Sequence, residues 1–277
     1  GLLSCFMVSD EITMITKSCN DNSPVLKWCG KPDGTYTIEE CEDTTFQETS
    51  GTKVILYAKK DMEEYFTVEL IEELVKYYGM LLHTPVILKQ NGESKRINPI
   101  YLPWEGRESN KQEMMMFGQM MFGEQFLDCI PFYSEEGKVS GVIYILNYSV
   151  LPSAKMKHRI YLKNMLLTEK GDHLLPEWAV FTKCIINAMD LRPTASREGF
   201  YVDDVLEKAQ ENMEETIREY IIDIAENDKK LFYQFFKIHF VCEESLPRTL
   251  LHTLITLPSR HKCLQVLSVT SFQVTHP

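Results

Sequence analysis

The sequence predicts an α/β protein built from two domains. Its length of 277 residues suits two domains, since one domain typically takes about 100 to 200 residues. A content of 44% hydrophobic and 25% charged residues is typical of an ordinary globular chain. Candidate strands and helices occur on both sides of the polar, aperiodic stretch 89–96, and we expect the domain boundary there.

In the first half, β-branched residues flanked by turn-forming Asn, Asp, Pro and Gly predict strands at 11–17, 35–39 and 52–58. Apolar residues at 70, 71, 74, 75 and 78 follow the helical period and predict a helix over 67–78. A short strand is expected at 85–88. These elements predict a sheet with a helix packed on it.

The second half alternates between strand-forming and helix-forming stretches in the same way. Strands are predicted at 126–131, 139–146 and 159–162, and helices at 176–189, 204–227 and 228–240. Asp204 followed by Glu207 has the spacing of a capping box, so the sequence predicts a helix start near 204 with Asp204 as the N-cap.

Charge and composition exclude several classes of function. The formal net charge of −11 disfavours nucleic acid as a partner. Apolar runs are too short for a membrane span, and the first residues do not resemble a signal peptide, so we expect a cytoplasmic protein. The cysteines are dispersed without metal-ligand spacing, which predicts reduced thiols and no metal site. They are Cys5, Cys19, Cys29, Cys41, Cys129, Cys184, Cys242 and Cys263.

Five segments carry a resemblance to a known family. They are Gly1–Asp10, Gly51–Leu56, Arg159–Leu162, Leu174–Phe181 and Asp190–Glu198. In this order they resemble the end of the glycine-rich lid, the Gly-Thr strand, a middle-domain strand, the helix that follows it, and the Ser-Arg-Glu catalytic loop of the heat-shock protein 90 chaperones. The resemblance is closest to the bacterial HtpG type and extends over most of the chain.

This resemblance implies the domain organisation. Residues 1–88 would be the C-terminal part of a GHKL-type ATP-binding domain, and 97–241 the middle domain. Residues 242–277 would be an atypical tail, because no Asp or Glu occurs from 247 to 277; a splice or reading-frame artefact would also produce it. The chain is therefore expected to be an internal fragment.

The resemblance also implies an ATPase cycle that uses ATP and Mg²⁺. Arg197 would be the catalytic residue, since a guanidinium from a second domain can pair with the γ-phosphate. Gly1 and Leu2 would contact phosphate through backbone N–H groups, and Thr52 would face the adenine. Most of the nucleotide site would lie upstream of Gly1, so this fragment is expected to lack activity alone.

Each of these residues has a structural alternative. Arg197 would otherwise be a surface side chain paired with Glu198 or capping a carbonyl group, and Thr52 part of a turn entering a strand. Two departures bear on the loop: Thr194 stands where the family commonly has Asn, and Tyr201 where it usually has Gln.

A methionine-rich stretch, residues 112–122, suits the binding of varied apolar segments, because thioether side chains are flexible. The expected partners are unfolded or partly folded client proteins, and the client-binding candidates are Trp104, Met115, Met116 and Met120. The alternative is a helix packed in the core that ends at Gly118 or Gly123. The intact protein would be a homodimer.

Two other functions remain open. One is a middle-domain module that holds clients without nucleotide. The other is a DNA-acting ATPase of the same superfamily, although such proteins typically bring a Lys to the γ-phosphate and carry basic surfaces, whereas this chain offers Arg197 and a net negative charge.

Overall fold

The computed structural model describes residues 2–239, apart from 21, 44–45, 47–48, 107–109 and 152. The chain divides into two compact units. The first comprises Gly1–Lys76 with Leu88–Lys95, and the second comprises Tyr77–Ile87 with Arg96–Pro277. Both contain sheets and helices, so the α/β fold class is confirmed.

The first unit is organised around an antiparallel sheet with the strand order β3-β2-β1-β4. Its strands are β1 (Ser9–Lys17), β2 (Leu26–Gly30), β3 (Tyr36–Glu40) and β4 (Gly51–Ala58). β1, β3 and β4 confirm the three predicted strands, and β2 was not predicted. Ile38, Trp28, Met14 and Val54 stand opposite one another in consecutive pairs, so one apolar row crosses all four strands.

Helix α1 (Val68–Tyr78) confirms the predicted helix. None of its residues is fully buried, and the apolar residues Leu70, Ile71 and Val75 are partly buried. The polar stretch after it forms a hairpin of β5 (Ile87–Gln90) and β6 (Glu93–Arg96). Asn91 and Gly92 have φ angles of 50° and 86°, as a type I′ turn requires at both central residues.

A five-stranded sheet forms the centre of the second unit. Its strands are β7 (Phe126–Ser134), β8 (Val139–Leu146), β9 (Arg159–Leu162), β10 (Met165–Thr168) and β11 (Thr182–Ala188). Their order is β10-β9-β11-β8-β7. β9 and β11 are parallel, and the other pairs are antiparallel.

Helices cover both faces of this sheet. α2 (Lys111–Phe122) lies on one face and α3 (Asp204–Asn227) on the other, and α4 (Lys229–His239) follows α3. Successive residues of β8 point to opposite faces: Ile143 joins the core with α3, and Tyr144 the core with α2. The strand is therefore buried on both sides.

The helix predicted over 176–189 is wrong. Residues 182–188 form β11, which lies in the middle of the sheet with six of its seven residues buried. A strand buried on both faces has a continuous apolar run and no period of two, so such a run does not distinguish a strand from a buried helix.

The N-cap of α3 lies one residue before the predicted one. The helix begins at Asp204 as predicted, but the N-cap is Asp203, whose carboxylate accepts a hydrogen bond from the Leu206 N–H at 3.0 Å. Adjacent aspartates made both positions possible caps in the sequence.

Candidate functional site

The loop between β11 and α3 presents Arg197 at its tip. Leu191 and Phe200 are buried at the two ends of this loop. Between them the chain forms a narrow hairpin, in which the Thr194 N–H donates to the Gly199 carbonyl at 2.9 Å. The turn is therefore anchored to the core on both sides.

The backbone of Arg197 adopts a left-handed conformation, with φ of +55°. Its N–H donates to the Thr194 carbonyl at 3.0 Å, which closes the turn. A side chain at such a φ costs about 1 kcal/mol or more, and Gly or Asn is the usual occupant. Lys138 and Lys163 adopt similar φ angles of 44° and 50°, so this conformation is shared with other turn residues of the second unit.

The guanidinium of Arg197 is exposed to solvent. Within the described part of the chain it forms neither an ion pair with Glu198 nor a hydrogen bond to a carbonyl group. The two structural alternatives for this side chain therefore find no support. An exposed and uncompensated guanidinium is free to pair with an anion.

Three other charged side chains near the loop, Lys138, Asp190 and Arg192, have contacts of their own. Lys138 and Asp190 form an ion pair at 2.8 Å, and this hydrogen bond raises the pKa of Lys138. The guanidinium of Arg192 lies 4.9 Å from the centre of the Tyr201 ring. Sequence reasoning did not identify Arg192, because only the folded loop brings it onto Tyr201.

Thr52 lies on the exposed surface of β4, in the first unit. Its hydroxyl is 2.8 Å from that of Thr16, and Thr16 donates to the Gly51 carbonyl at 3.1 Å. Either hydroxyl can be the donor in this contact, since each carries one proton and can also accept. Whichever hydroxyl donates, the exposed Thr52 oxygen keeps at least one lone pair that can accept a hydrogen bond.

Leu2 opens a short 3₁₀ turn, Leu2–Met7, and is exposed. The turn precedes Ser9, which pairs with Ala58. Thr52 pairs with Thr16, near the other end of the same two strands. Leu2 and Thr52 are thus positioned at opposite ends of the β1–β4 pair. Gly1 lies outside the described residues.

The methionine-rich stretch folds as helix α2, and it ends at Gly123, one of the two ends given by the alternative of a helix packed in the core. Asn110 caps its start by accepting from the N–H groups of Gln112 and Glu113, and Gly123 ends it with φ of 71°. Trp104 is partly buried and meets the Phe117 ring edge-on, with the ring centres 5.5 Å apart. Trp104 is therefore partly covered by the core beside α2.

The methionines of α2 divide between the core and the surface. Met114 is buried and Met115 is partly buried against the same apolar cluster. Met116 and Met120 remain 64% and 57% exposed. Because they are four residues apart, they are neighbours on one face of the helix. Two of the four predicted client contacts are therefore accessible.

A buried carboxylate fixes α2 against the rest of the second unit. Asp128 on β7 has a side chain only 4% exposed and lies 2.5 Å from the Lys111 ammonium of α2. It also accepts a hydrogen bond from the Tyr220 hydroxyl of α3 at 3.0 Å. Burial next to Asp128 raises the pKa of Tyr220, which keeps this donor protonated.

Among residues 2–239 that are described, no three His, Cys, Asp or Glu side chains are grouped closely enough to hold a metal ion. The described helices also include none with the length and apolar character needed to cross a membrane.

Comparison with known proteins gives a consistent family. The family model described as "Hsp90 protein" matches residues 145–272. This range includes β11, the Arg197 loop and α3, and it continues past residue 241.

Individual relatives match a larger part of the chain. The chaperone protein HtpG of Geobacter sulfurreducens is 24% identical over 86% of this chain, and that of Chlorobaculum tepidum is 26% identical over 86%. The mitochondrial TNF receptor-associated protein 1 homolog of Dictyostelium discoideum is 25% identical over 85%. The chain spans 41%, 38% and 33% of the lengths of these relatives.

Proposed function

Because this chain is a homologue of the heat-shock protein 90 chaperones, we propose that it contributes the end of the nucleotide-binding domain and the middle domain of an ATP-driven chaperone. The observation that carries the proposal is Arg197. It lies in the family-matched region, at the tip of an anchored loop, with an unusual φ and no charge partner in the described structure.

Arg197 would act on the transferring phosphate. Negative charge spreads over the oxygens of the γ-phosphoryl group during transfer, and a planar guanidinium can hold two of them at once. Since Arg197 and Thr52 belong to different units, hydrolysis would depend on the docking of one domain with the other. That dependence would couple ATP hydrolysis to conformational change.

Thr52 and Leu2 would hold parts of ATP. The exposed acceptor of Thr52 suits the amino group of adenine, and the backbone N–H of Leu2 suits a phosphate oxygen. Mg²⁺ would arrive bound to the phosphates of ATP. ATP and Mg²⁺ would supply the reactive phosphoryl group and its charge compensation.

The substrates of the chaperone would be unfolded or partly folded proteins, bound at Met116 and Met120. The whole protein would act as a homodimer in the cytoplasm. The net charge of −11 argues against nucleic acid or anionic membrane as partners.

The test is ATP hydrolysis by the complete product of the encoding gene, with Arg197 or with Arg197→Ala. Loss of a phosphate-stabilising arginine typically lowers the rate about 10³-fold, and we expect a loss of that order. Lys208→Ala removes another exposed cation of the same unit and should leave the rate unchanged. Equal rates for Arg197→Ala and the unchanged protein would exclude the catalytic role.

A second function, client binding without nucleotide, is favoured by the exposure of Met116 and Met120, which requires no ATP. The 277-residue chain itself would then suppress the aggregation of a heat-unfolded reporter protein. Arg197→Ala would have no effect in this assay, so the two functions are separated by one variant.

A further inference from the structure

Two side chains close the base of the loop that presents Arg197. The guanidinium of Arg192 lies over the ring of Tyr201, 4.9 Å from its centre. The Tyr201 N–H donates to the Arg192 carbonyl at 2.8 Å. The same two residues are therefore joined by a backbone hydrogen bond and by a cation–π contact.

The backbone alone gives the loop few connections. Thr194 and Gly199 are joined by one backbone hydrogen bond of 2.9 Å and by the Thr194 hydroxyl, which donates to the same carbonyl at 3.2 Å. Pro193 forms an isolated bridge with Phe200. Pro193 has no N–H and fits a non-hydrogen-bonded pair. The Arg192–Tyr201 pair is thus the only rung in the described loop that adds a stacked pair of side chains to its backbone bond.

We propose that Arg192 and Tyr201 are positioning residues, which hold the loop closed so that Arg197 remains at its tip. This inference rests on the proposed role of Arg197. It also accounts for Tyr201, at the position where the family resemblance leads one to expect Gln. The ring of Tyr201 stabilises the loop by stacking with Arg192. The guanidinium of Arg192 is held over that ring and is not available as a second anion-binding group.

The loop opening is measurable without nucleotide, by hydrogen exchange of the 277-residue chain. The amides of Thr194, Arg197 and Tyr201 donate hydrogen bonds within the loop, so their protection reports its opening. Removing an exposed cation–π contact should lower protection about two- to fivefold. Arg192→Met, which keeps the aliphatic stem, and Tyr201→Leu, which removes the ring, should each have this effect.

Conservative variants separate the stacked contact from general packing. Tyr201→Phe keeps the ring and Arg192→Lys keeps the charge, and both should retain most of the protection. The double variant Arg192→Met/Tyr201→Leu should lose no more protection than either single variant, because both remove the same contact. Additive losses, or unchanged protection in Arg192→Met, would overturn the inference.

The outcome does not depend on hydrolysis. If the Arg192 and Tyr201 variants lose protection while Arg197→Ala hydrolyses ATP normally, the positioning role of Arg192 and Tyr201 is supported and the catalytic role of Arg197 is rejected. If the Arg192 and Tyr201 variants keep their protection while Arg197→Ala hydrolyses ATP poorly, the positioning role is rejected and the catalytic role is supported.

Discussion

Gly118 of α2 lies directly against the ring of Tyr144 on β8. A Cβ atom at position 118 would be 2.3 Å from Cε1 of that ring. The Tyr144 hydroxyl donates to the Met114 carbonyl at 3.0 Å, one turn earlier on the same helix. Tyr144 therefore sets both the distance and the rotation of α2, and this rotation leaves Met116 and Met120 facing outward.

The close contact predicts that Gly118→Ala destabilises the second unit. Alanine favours a helix by about 1 kcal/mol, but overpacking a core typically costs about 1 to 3 kcal/mol, and the Tyr144 ring is held by its hydrogen bond. We expect a net loss of about 1 kcal/mol in the free energy of unfolding, measured in urea. Gln119→Ala, on the exposed side of α2, is the control; a Gly118→Ala variant as stable as this control would contradict the packing argument.

The left-handed φ of Arg197 predicts that Arg197→Gly stabilises the protein. Glycine adopts a φ of +55° without a steric cost, so the free energy of unfolding should rise by about 0.5 to 1 kcal/mol. Arg197→Ala should not show this gain. Glu198→Gly, at a position without a positive φ, should instead lower stability. If Arg197→Gly is also less stable, the backbone conformation carries no strain.

Secondary structure was predictable where the hydrophobic pattern fits only a helix or only a strand. Helix α3 presents buried residues such as Leu206, Met213 and Ile217 at helical spacing, and its start was predicted to the residue. β11 was missed because burial on both faces removes the alternation that identifies a strand. Asn91-Gly92 is a strong hairpin signal, but the polar residues on both sides of it lack the alternation that identifies strands.

For the candidate site, the sequence pointed to individual residues but not to the contacts between them. The family resemblance points to Arg197, but its φ and its lack of a partner among the described residues follow only from the folded structure. The Arg192–Tyr201 contact joins residues nine positions apart through a turn that no periodicity indicates. The methionine stretch gave two alternatives because a helix faces two environments, and each alternative applies to different methionines.

Replacement of Asp128 is expected to lower the stability of the second unit strongly. Its buried carboxylate is paired with Lys111 and Tyr220, and removing one partner of a buried charged network typically costs about 3 to 5 kcal/mol. Asp128→Ala should lower the free energy of unfolding by about 3 kcal/mol. Tyr220→Phe should cost about 1 kcal/mol, and less in the Asp128→Ala background. Strictly additive losses would show that the two side chains do not interact.

His158 predicts a dependence of stability on pH. Burial, with a smaller contribution from Lys183, lowers the pKa of His158 from an ordinary 6.5 to about 4. Between these values the unfolded chain binds a proton that the folded chain does not, so stability is full above pH 6.5 and falls as the pH drops towards 4. The slope from this group approaches about 1.4 kcal/mol per pH unit.

His158→Gln should reduce that slope, whereas the two proteins should behave alike above pH 6.5 apart from a constant difference. Urea unfolding at intervals from pH 7.5 to pH 4 gives both curves. Parallel curves across the acid range would mean that His158 is protonated in the folded protein as readily as in the unfolded chain.

The exposed face of α2 gives a prediction about client proteins. Met116 and Met120 are more than half exposed, and Met114 is buried on the same helix. A polar substitution at Met116 or Met120 should therefore weaken client binding, and one at Met114 should lower the stability of the fold. Met116→Gln/Met120→Gln should weaken the suppression of reporter aggregation several-fold at unchanged stability, because the apolar contact area is lost while glutamine preserves the helix. Met114→Gln should lower the free energy of unfolding by about 2 kcal/mol or more, since it buries an unpaired amide. If the double variant suppresses aggregation as well as the original chain, clients bind elsewhere, and the exposure of these two methionines serves another purpose.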